Sequence, residues 1–294
     1  MKKVKRIAAG LAAASLCLSL TACGGNNGGD AQGTAAKTPG EIVAASQEKL
    51  IDAKSYHMSM DMDVSMEMTV GDQTQAFDMT TVTDLLMFQN PQKLKGTMTI
   101  DMGEMGRQEA TYYGQEVDGK QVIYSQAGDQ WVKQEITSDE MSQYDPKQSL
   151  SLYLDSASSF TDDGKETVGG AEATKYSGVI AGDNMQKVME ESGMLDSLGA
   201  MSGTGIDEAQ LKEILSTFED IPMSVWVSAD GYPVQYEMDM AEMMDALMGK
   251  IMEAAGAAEQ GVSLKIGKAA IQMTCDQFDA VADFEIPADA LNAA

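Results

Sequence analysis

The sequence of 294 residues predicts an α+β fold that is built on an antiparallel sheet. Apolar and polar residues alternate without interruption from His57 to Val70, which is typical of a strand with one dry and one wet face. Short turns such as Asp118-Gly119 and Asp230-Gly231 separate neighbouring strand-like runs, so these runs should pair as antiparallel hairpins. Helical runs interrupt the strands without a regular β-α-β alternation.

Residues 1–22 are predicted to be a signal peptide. Four basic residues precede an apolar run, Ile7 to Leu20, that is too short to span a bilayer as a helix of about 20 residues. The run ends in Leu20-Thr21-Ala22-Cys23, which resembles the lipobox of bacterial lipoproteins. That resemblance implies cleavage before Cys23, acylation of Cys23 and a lipid anchor at the extracytoplasmic face of the cell membrane. The alternative is an exported protein that an ordinary signal peptidase cleaves, with Cys23 incidental.

The mature chain is expected to consist of a lipidated tether, residues 23–39, and a single domain, residues 40–294. The tether is rich in Gly, Asn, Ala, Gln and Thr, and no second linker follows it. Without the signal peptide the chain has 16 basic and 46 acidic residues, hence a net charge of −30. Such a surface is repelled by anionic headgroups and makes nucleic acid an improbable partner, so the acyl chains should provide the membrane attachment.

Cysteine content excludes an intrachain disulfide in the mature form. Cys17 leaves with the signal peptide and Cys23 is acylated, so only Cys275 remains. Cys275 is either a buried small hydrophobic residue or a reactive thiol.

The first helix should begin at Thr38-Pro39-Gly40-Glu41, which combines an N-cap, a proline at the first helical position and the glutamate of a capping box. It should end near Lys54-Ser55. Further strands are expected over about Gln75–Phe88, Lys93–Met102, Thr111–Val117, Lys120–Ser125, Gln130–Ile136, Pro222–Ser228 and Pro233–Met240. Helices are expected over Pro146–Phe160, Asn184–Leu198, Glu208–Phe218 and Ala241–Ala255, with a hairpin turning at Gly169-Gly170 between the first two. The closing run, Leu264–Ile286, reads as strand with a turn near Gln277–Ala280.

Several segments together resemble Gram-positive lipoproteins of uncharacterised function. They are the lipobox, Lys54-Ser55-Tyr56-His57 before the long strand, Val225-Trp226-Val227 before Asp230-Gly231-Tyr232-Pro233-Val234, and the terminal Phe284-Glu285-Ile286-Pro287. Those proteins are similar in layout to the LolA/LppX/LprG-like superfamily, and the resemblance covers roughly residues 40 to 290. It implies a large curved antiparallel sheet, a half-barrel, with helices covering its concave face around a lipid or acyl chain. It also implies no catalytic residue.

The candidate ligand-binding residues line the predicted apolar cavity. They are Met58, Met60, Met62, Val64, Met66 and Met68 on the long strand, with Met185, Met189, Met244 and Met248 on the predicted helices. Methionine is flexible and polarisable, which suits a surface that adapts to variable apolar shapes. Two other interpretations remain open, a plain hydrophobic core and a thioether Cu(I) site. Spacing of about 7 Å along one strand is too wide for a single ion unless a second strand contributes.

Other chemistry finds little support in the sequence. Asp61, Asp63 and Glu67 share the wet face of the long strand, where a weak cation site is less expected than a solvated charged face. Gly114 to Lys120 matches the spacing of a phosphate-binding loop, but Gln121 replaces the required Ser or Thr and no helix is predicted after it. His57 is the only histidine, and neither a nucleophile elbow nor a zinc-protease motif occurs. We therefore expect no cofactor, no metal site and no enzymatic activity.

Two functions remain after these exclusions. The first is binding of an apolar small molecule, a lipid or acyl chain, at the cell surface, with carriage across the envelope as its use. The second is a non-catalytic envelope module for protein interaction or sensing, with protein partners unknown. A continuous apolar cavity would favour the first, and a solid core with an exposed patch would favour the second.

Overall fold

The computed structural model describes residues 37–89, 91–118, 120–128, 130–136, 157–182, 184, 219–254, 256 and 261–293. The predicted signal peptide, Cys23 and residues 24–36 of the tether lie outside the described residues. Almost all of the two helices predicted within 184–218 lies outside them too, as does the first part of the helix predicted from Pro146.

Eleven described strands form one large antiparallel sheet, which confirms the predicted α+β class and the predicted sheet. They are β1 (Ser55–Val70), β2 (Gln73–Gln89), β3 (Gln92–Asp101), β4 (Arg107–Val117), β5 (Lys120–Ala127), β6 (Gln130–Ile136), β7 (Ala157–Val168), β8 (Ala171–Ile180), β9 (Ile221–Ser228), β10 (Pro233–Asp239) and β11 (Val262–Asp276). Their spatial order is β6-β5-β4-β3-β2-β1-β11-β10-β9-β8-β7. Two meanders are thus joined where the first and last strands pair.

The described helices are α1 (Pro39–Asp52), α2 (Ala241–Ala254) and the short α3 (Ala288–Leu291), with a 3₁₀ turn at Gly103–Met105. The predicted capping box of α1 is confirmed, because the Glu41 N–H donates to Thr38 Oγ1 at 3.3 Å and the Thr38 N–H donates to Glu41 Oε2 at 2.7 Å. Within the described ranges, no helix combines the length and apolar character needed to cross a bilayer.

Strand register assigns each side chain to one of two faces, since residues opposite each other in a ladder point the same way. We call the inner face the one that carries Tyr56 and Met58 of β1, and the polar face the one that carries His57 and Asp61. Val43 and Leu50 of α1 pack with Met58 and Tyr236 into the main core, so α1 covers the inner face of the sheet.

The three central strands extend beyond their neighbours at the end where β1 turns into β2. Pairing between β2 and β3 begins only at Thr80, opposite Asp101, and pairing between β10 and β11 ends at Asp239, opposite Ala270. About seven residues of each central strand, a length of roughly 23 Å, therefore project past β3 and β10. We call this part the projecting sheet, comprising Val64–Val70 of β1, Gln73–Met79 of β2 and Val262–Ala269 of β11.

Two sequence predictions are wrong in part. The helix predicted to run to Phe160 is contradicted at its end, because Ala157–Phe160 belongs to β7, where bulges and a left-handed Ser159 (φ 58°) disturb the alternation that identifies a strand. The hairpin that follows is confirmed, with Gly169 and Gly170 both at positive φ (58° and 85°), as a type I′ turn requires.

The C-terminal segment is the second correction. The predicted turn occurs after Asp276, but residues 281–287 form no strand. Phe284 and Ile286 pack instead against a separate cluster around Tyr113 and Tyr124, on the polar side of β4 and β5. The alternation that suggested a strand reflects one-sided packing of an extended segment without ladder hydrogen bonds.

Candidate functional site: a methionine-rich sheet face

The candidate residues of β1 lie side by side on the inner face, as the alternation predicts. Met58 and Val64 are each 5 % exposed and belong to the buried set, whereas the four other methionines are partly exposed. These are Met60, Met62, Met66 and Met68. The row therefore has a sealed end at Met58 and a half-open end at Met68, with the buried Val64 between partly exposed Met62 and Met66.

The sealed end is closed by α1 and by a buried polar contact. Tyr56 is 1 % exposed beside Leu50, which is 2 % exposed. Tyr236 donates from its hydroxyl to Gln47 Oε1 at 3.1 Å, and burial raises the pKa of Tyr236 well above its ordinary value. This hydroxyl is therefore neutral and serves to fix α1 on the sheet.

The middle of the face gathers methionines from several strands. Met60 stands opposite Met273 of β11 on one side and Thr83 of β2 on the other, and Met238 of β10 stands opposite Met223 of β9. These neighbours escaped the sequence analysis because no local pattern shows which strands flank β1. Only the register of the sheet identifies them.

Helix α2 contributes one candidate residue to the core of the face. Met243 and Leu247 are buried there, and Met244 packs against the same cluster. Met248 is partly buried on the same helix but lies outside that cluster, as do Met62, Met66 and Met68. Met185 and Met189 lie outside the described residues.

Paired thioethers bear on the Cu(I) interpretation. Directly opposite residues in an antiparallel ladder have Cβ atoms about 5 Å apart, so Met60 and Met273 supply the second strand that the spacing along β1 lacks. Met273 is 9 % exposed and packs in the core. Across the described ranges, no three His, Cys, Asp or Glu side chains group closely enough to hold a metal ion.

The polar face carries charges that pair with one another. His57 lies between two aspartates, with Nδ1 at 2.7 Å from Asp276 and Nε2 at 3.3 Å from Asp84. Asp63 accepts from Lys268 at 2.8 Å and from Thr80 at 2.9 Å, and these hydrogen bonds lower the pKa of Asp63. Asp63, one of the three acidic residues considered for a cation, is thus already bound by a lysine.

Open grooves also mark the polar face. One, of about 420 Å³, is lined by Asp61, Asp63, Glu237 and Asp239 around Lys268. Another, of about 530 Å³, lies over β2 and β3 between Asp84 and Arg107. Both grooves lie on the polar face, away from the methionine row of β1, so neither is the apolar cavity that the sequence predicts.

Two further sequence interpretations can be decided from their surroundings. Cys275 is 2 % exposed opposite Met58, and burial, with a contribution from Asp276, raises its thiol pKa to about 12. Cys275 is therefore a buried small hydrophobic residue and not a reactive thiol.

The glycine of the apparent phosphate-binding motif, Gly114, lies within β4. An added Cβ there would fall 2.7 Å from Leu94 and 2.8 Å from Ile123, so the glycine serves packing and not phosphate binding.

Comparison with known proteins gives one family match and several solved structures to which the chain is similar. Residues 38–294 match the model of a family of unknown function, DUF6612. The Mycobacterium tuberculosis lipoprotein LppX is similar in structure, with 14% identity, a TM-score of 0.45, and coverage of 84% of this chain and 98% of LppX. LprF from Mycobacterium bovis has 11% identity and a TM-score of 0.44 over 85% of this chain and 96% of LprF. A LolA superfamily protein from Nitrosomonas europaea has 8% identity and a TM-score of 0.17 over 82% and 92%. No curated protein matches the chain in sequence.

Proposed function

The chain belongs to the DUF6612 family, whose function is unknown, and from its site we propose that it is a non-enzymatic surface lipoprotein that binds a lipid or acyl chain. The single observation that supports this proposal is the inner face of β1. An unbroken apolar row runs there from a sealed end at Met58 to a half-exposed end at Met68. We further propose that the protein carries its ligand between the membrane and the rest of the envelope.

The length of the row suits an acyl chain. Ten residues separate Met58 from Met68, which corresponds to about 33 Å of strand. The acyl chains of one leaflet occupy half of a hydrocarbon core that is about 30 Å thick. One acyl chain would therefore fit along the row with its end in the methionine-rich middle of the face.

The energy available is sufficient for binding. Each methylene removed from water contributes about 0.8 kcal/mol, so eight methylenes contribute roughly 6 kcal/mol before the entropic cost of association. Partly exposed methionines such as Met62 and Met66 gain further burial when a ligand covers them. Their unbranched thioethers adjust to chains of different shape at low cost.

The membrane attachment belongs to the same proposal. A lipid at Cys23 would hold the protein at the extracytoplasmic face of the cell membrane. The acidic surface of the chain, with a net charge of −26 before processing, disfavours adhesion to anionic lipid through the domain as a whole.

The test compares two substitutions at one position. Met62→Asp puts a charge into the proposed ligand path, whereas Met62→Leu keeps the position apolar at similar volume. Met62 is partly exposed, so both variants should fold and give the same circular dichroism spectrum. We expect Met62→Asp to lose uptake of a fluorescent fatty-acid analogue and Met62→Leu to retain it. Mass spectrometry of the apolar molecules that copurify with the wild-type protein then identifies the ligand.

A wild-type protein that neither takes up the analogue nor carries copurified lipid would refute the carrier proposal. The interaction module would then be the better account, and the grooves on the polar face give it a specific location. The groove around Lys268 combines four carboxylates with one ammonium group, a pattern suited to polar protein contacts and not to a lipid.

A further inference from the structure

The geometry points to a second contact with lipid: the projecting sheet docks on the bilayer surface through its apolar inner side and delivers or receives the acyl chain there. This inference rests on the proposed function, because it assigns to that same face the end through which the ligand passes. It concerns the bilayer itself and not the covalent lipid at Cys23.

The projecting sheet is apolar on the side that continues the methionine row. Met66, Met68 and Val70 of β1 share this side with Phe77 of β2 and Leu264 of β11. Val70, at the turn, is 50% exposed, and the four others are partly exposed. Large apolar side chains in water at the tip of a projecting element are typical of a surface that contacts lipid or protein.

The tip is also nearly uncharged in a strongly acidic protein. Between Met68 and Phe77 the only charged residue is Asp72, and β11 contributes none before Lys265. Asp72, in the turn next to Val70, is the one carboxylate at the tip, and the next acidic residue along β1, Glu67, lies about 10 Å from Val70 at 3.3 Å per residue and stands opposite Lys265 of β11. A single carboxylate repels anionic headgroups much less than the strongly acidic remainder of the chain does, and a tip with so little charge favours a bilayer over a basic protein as the occupant.

The projecting sheet is built to stay ordered without a fourth strand. The Gly71 N–H donates to the carbonyl of Gly261 at 2.8 Å, which ties the β1–β2 turn to the start of β11. On the other side of β11, Asp245 of α2 accepts from the Ile266 N–H at 2.7 Å, in a stretch that β10 does not reach. Helix α2 thus covers that edge and leaves the turn free to approach a surface.

The test places a labelled cysteine at each of two exposed valine positions, which lie at opposite ends of the sheet. Val70 is at the β1–β2 turn, and Val117, 40% exposed, is at the β4–β5 turn. Val70→Cys and Val117→Cys are introduced separately into the full chain, which is purified in its mature form, labelled with an environment-sensitive fluorophore and reconstituted in vesicles of phosphatidylglycerol and phosphatidylcholine. Buried Cys275 should not react, and the parent protein measures any background label.

Quenching by spin-labelled lipid distinguishes the outcomes. We expect at least twofold quenching and a blue-shifted emission for the label at position 70, and neither for the label at position 117. In addition, Val70→Asp should slow transfer of a fluorescent fatty acid to vesicles about tenfold, while Val117→Asp leaves the transfer rate unchanged. No quenching at position 70, or equal quenching at both positions, would overturn the inference.

Failure of this inference is separable from failure of the proposed function. Uptake of the fatty-acid analogue in the absence of vesicles measures ligand binding alone. A protein that binds the analogue but shows no quenching at position 70 is a carrier that does not dock through the projecting sheet. A protein that is quenched at position 70 but binds no analogue docks on lipid without carrying it.

Discussion

Replacing Gly96 by alanine should destabilise the fold by about 1–3 kcal/mol, the usual cost of forcing an extra carbon into a packed site. Gly96 lies on the inner face of β3, directly opposite Tyr112 of β4. An added Cβ would stand 2.3 Å from Cε2 and 2.6 Å from Cζ of the Tyr112 ring, and 2.7 Å from Cδ2 of Leu85. Real Cβ atoms do not approach other carbons so closely, so the ring has to move.

The matched control is Gly267→Ala in β11. Its added Cβ would meet nothing closer than the Ser65 carbonyl oxygen at 3.9 Å, so stability should change little. Both glycines lie in strands, so the two substitutions share the intrinsic effect of replacing glycine by alanine. Gly267 is exposed at the bulge of β11, so its substitution makes no contact comparable to the one with Tyr112 and Leu85.

Urea unfolding of both variants measures the difference. The expected loss for Gly96→Ala, about 1–3 kcal/mol, is a substantial part of the free energy of unfolding of typical domains, which is about 5–15 kcal/mol. A double-mutant cycle with Tyr112→Ala should show coupling, because the alanine at 96 costs less once the ring is removed. Equal stability of Gly96→Ala and Gly267→Ala, or additive effects in the cycle, would refute the packing argument for this part of the inner face.

Three other predictions concern the cysteines and the methionines. Cys23→Ala should release the protein to the medium or leave the precursor uncut, and labelled fatty acid in that variant would contradict the lipoprotein assignment. Cys275 should resist thiol reagents at pH 9 in the native protein and react after unfolding, because burial raises its pKa to about 12 and the thiolate therefore forms only well above pH 9; rapid native labelling would show that the site opens. Anaerobic Cu(I) titration should reveal no stoichiometric site tighter than micromolar, because Met273, the thioether opposite Met60, is packed in the core and only 9 % exposed; a tight one-to-one site that is lost in Met60→Leu with Met62→Leu would make the thioether interpretation correct.

The pairing of β1 with β11 shows which features the sequence predicts and which it does not. Alternation along β1 predicts its two faces, because side-chain direction in a strand has a period of two residues. It does not predict that Met60 lies opposite Met273, since more than 200 residues separate the two and many registers would satisfy the same alternation. The paired thioethers and the core of the inner face depend on that register.

The C-terminal segment shows the same contrast between a local sequence pattern and long-range contacts. Its alternation at Phe284-Glu285-Ile286 predicts a strand, yet the sheet has no place for one there, and the segment packs on the polar side of β4 and β5. Lys93 lies 2.6 Å from Asp283 and 4.4 Å from the centre of the Phe284 ring, so contacts between distant residues decide the position of this segment.

Features that depend on neighbours within a few residues are predictable from the sequence. These include the capping box at Thr38, the hairpin turn at Gly169-Gly170, the alternation of β1 and the antiparallel α+β class. Long-range contacts in the folded chain determine which end of the inner face is sealed, and they determine that three strands project beyond their neighbours. Those features depend on which strands pair and where each pairing ends. The pairing contacts form between residues that are far apart in the chain, so no local sequence pattern predicts them.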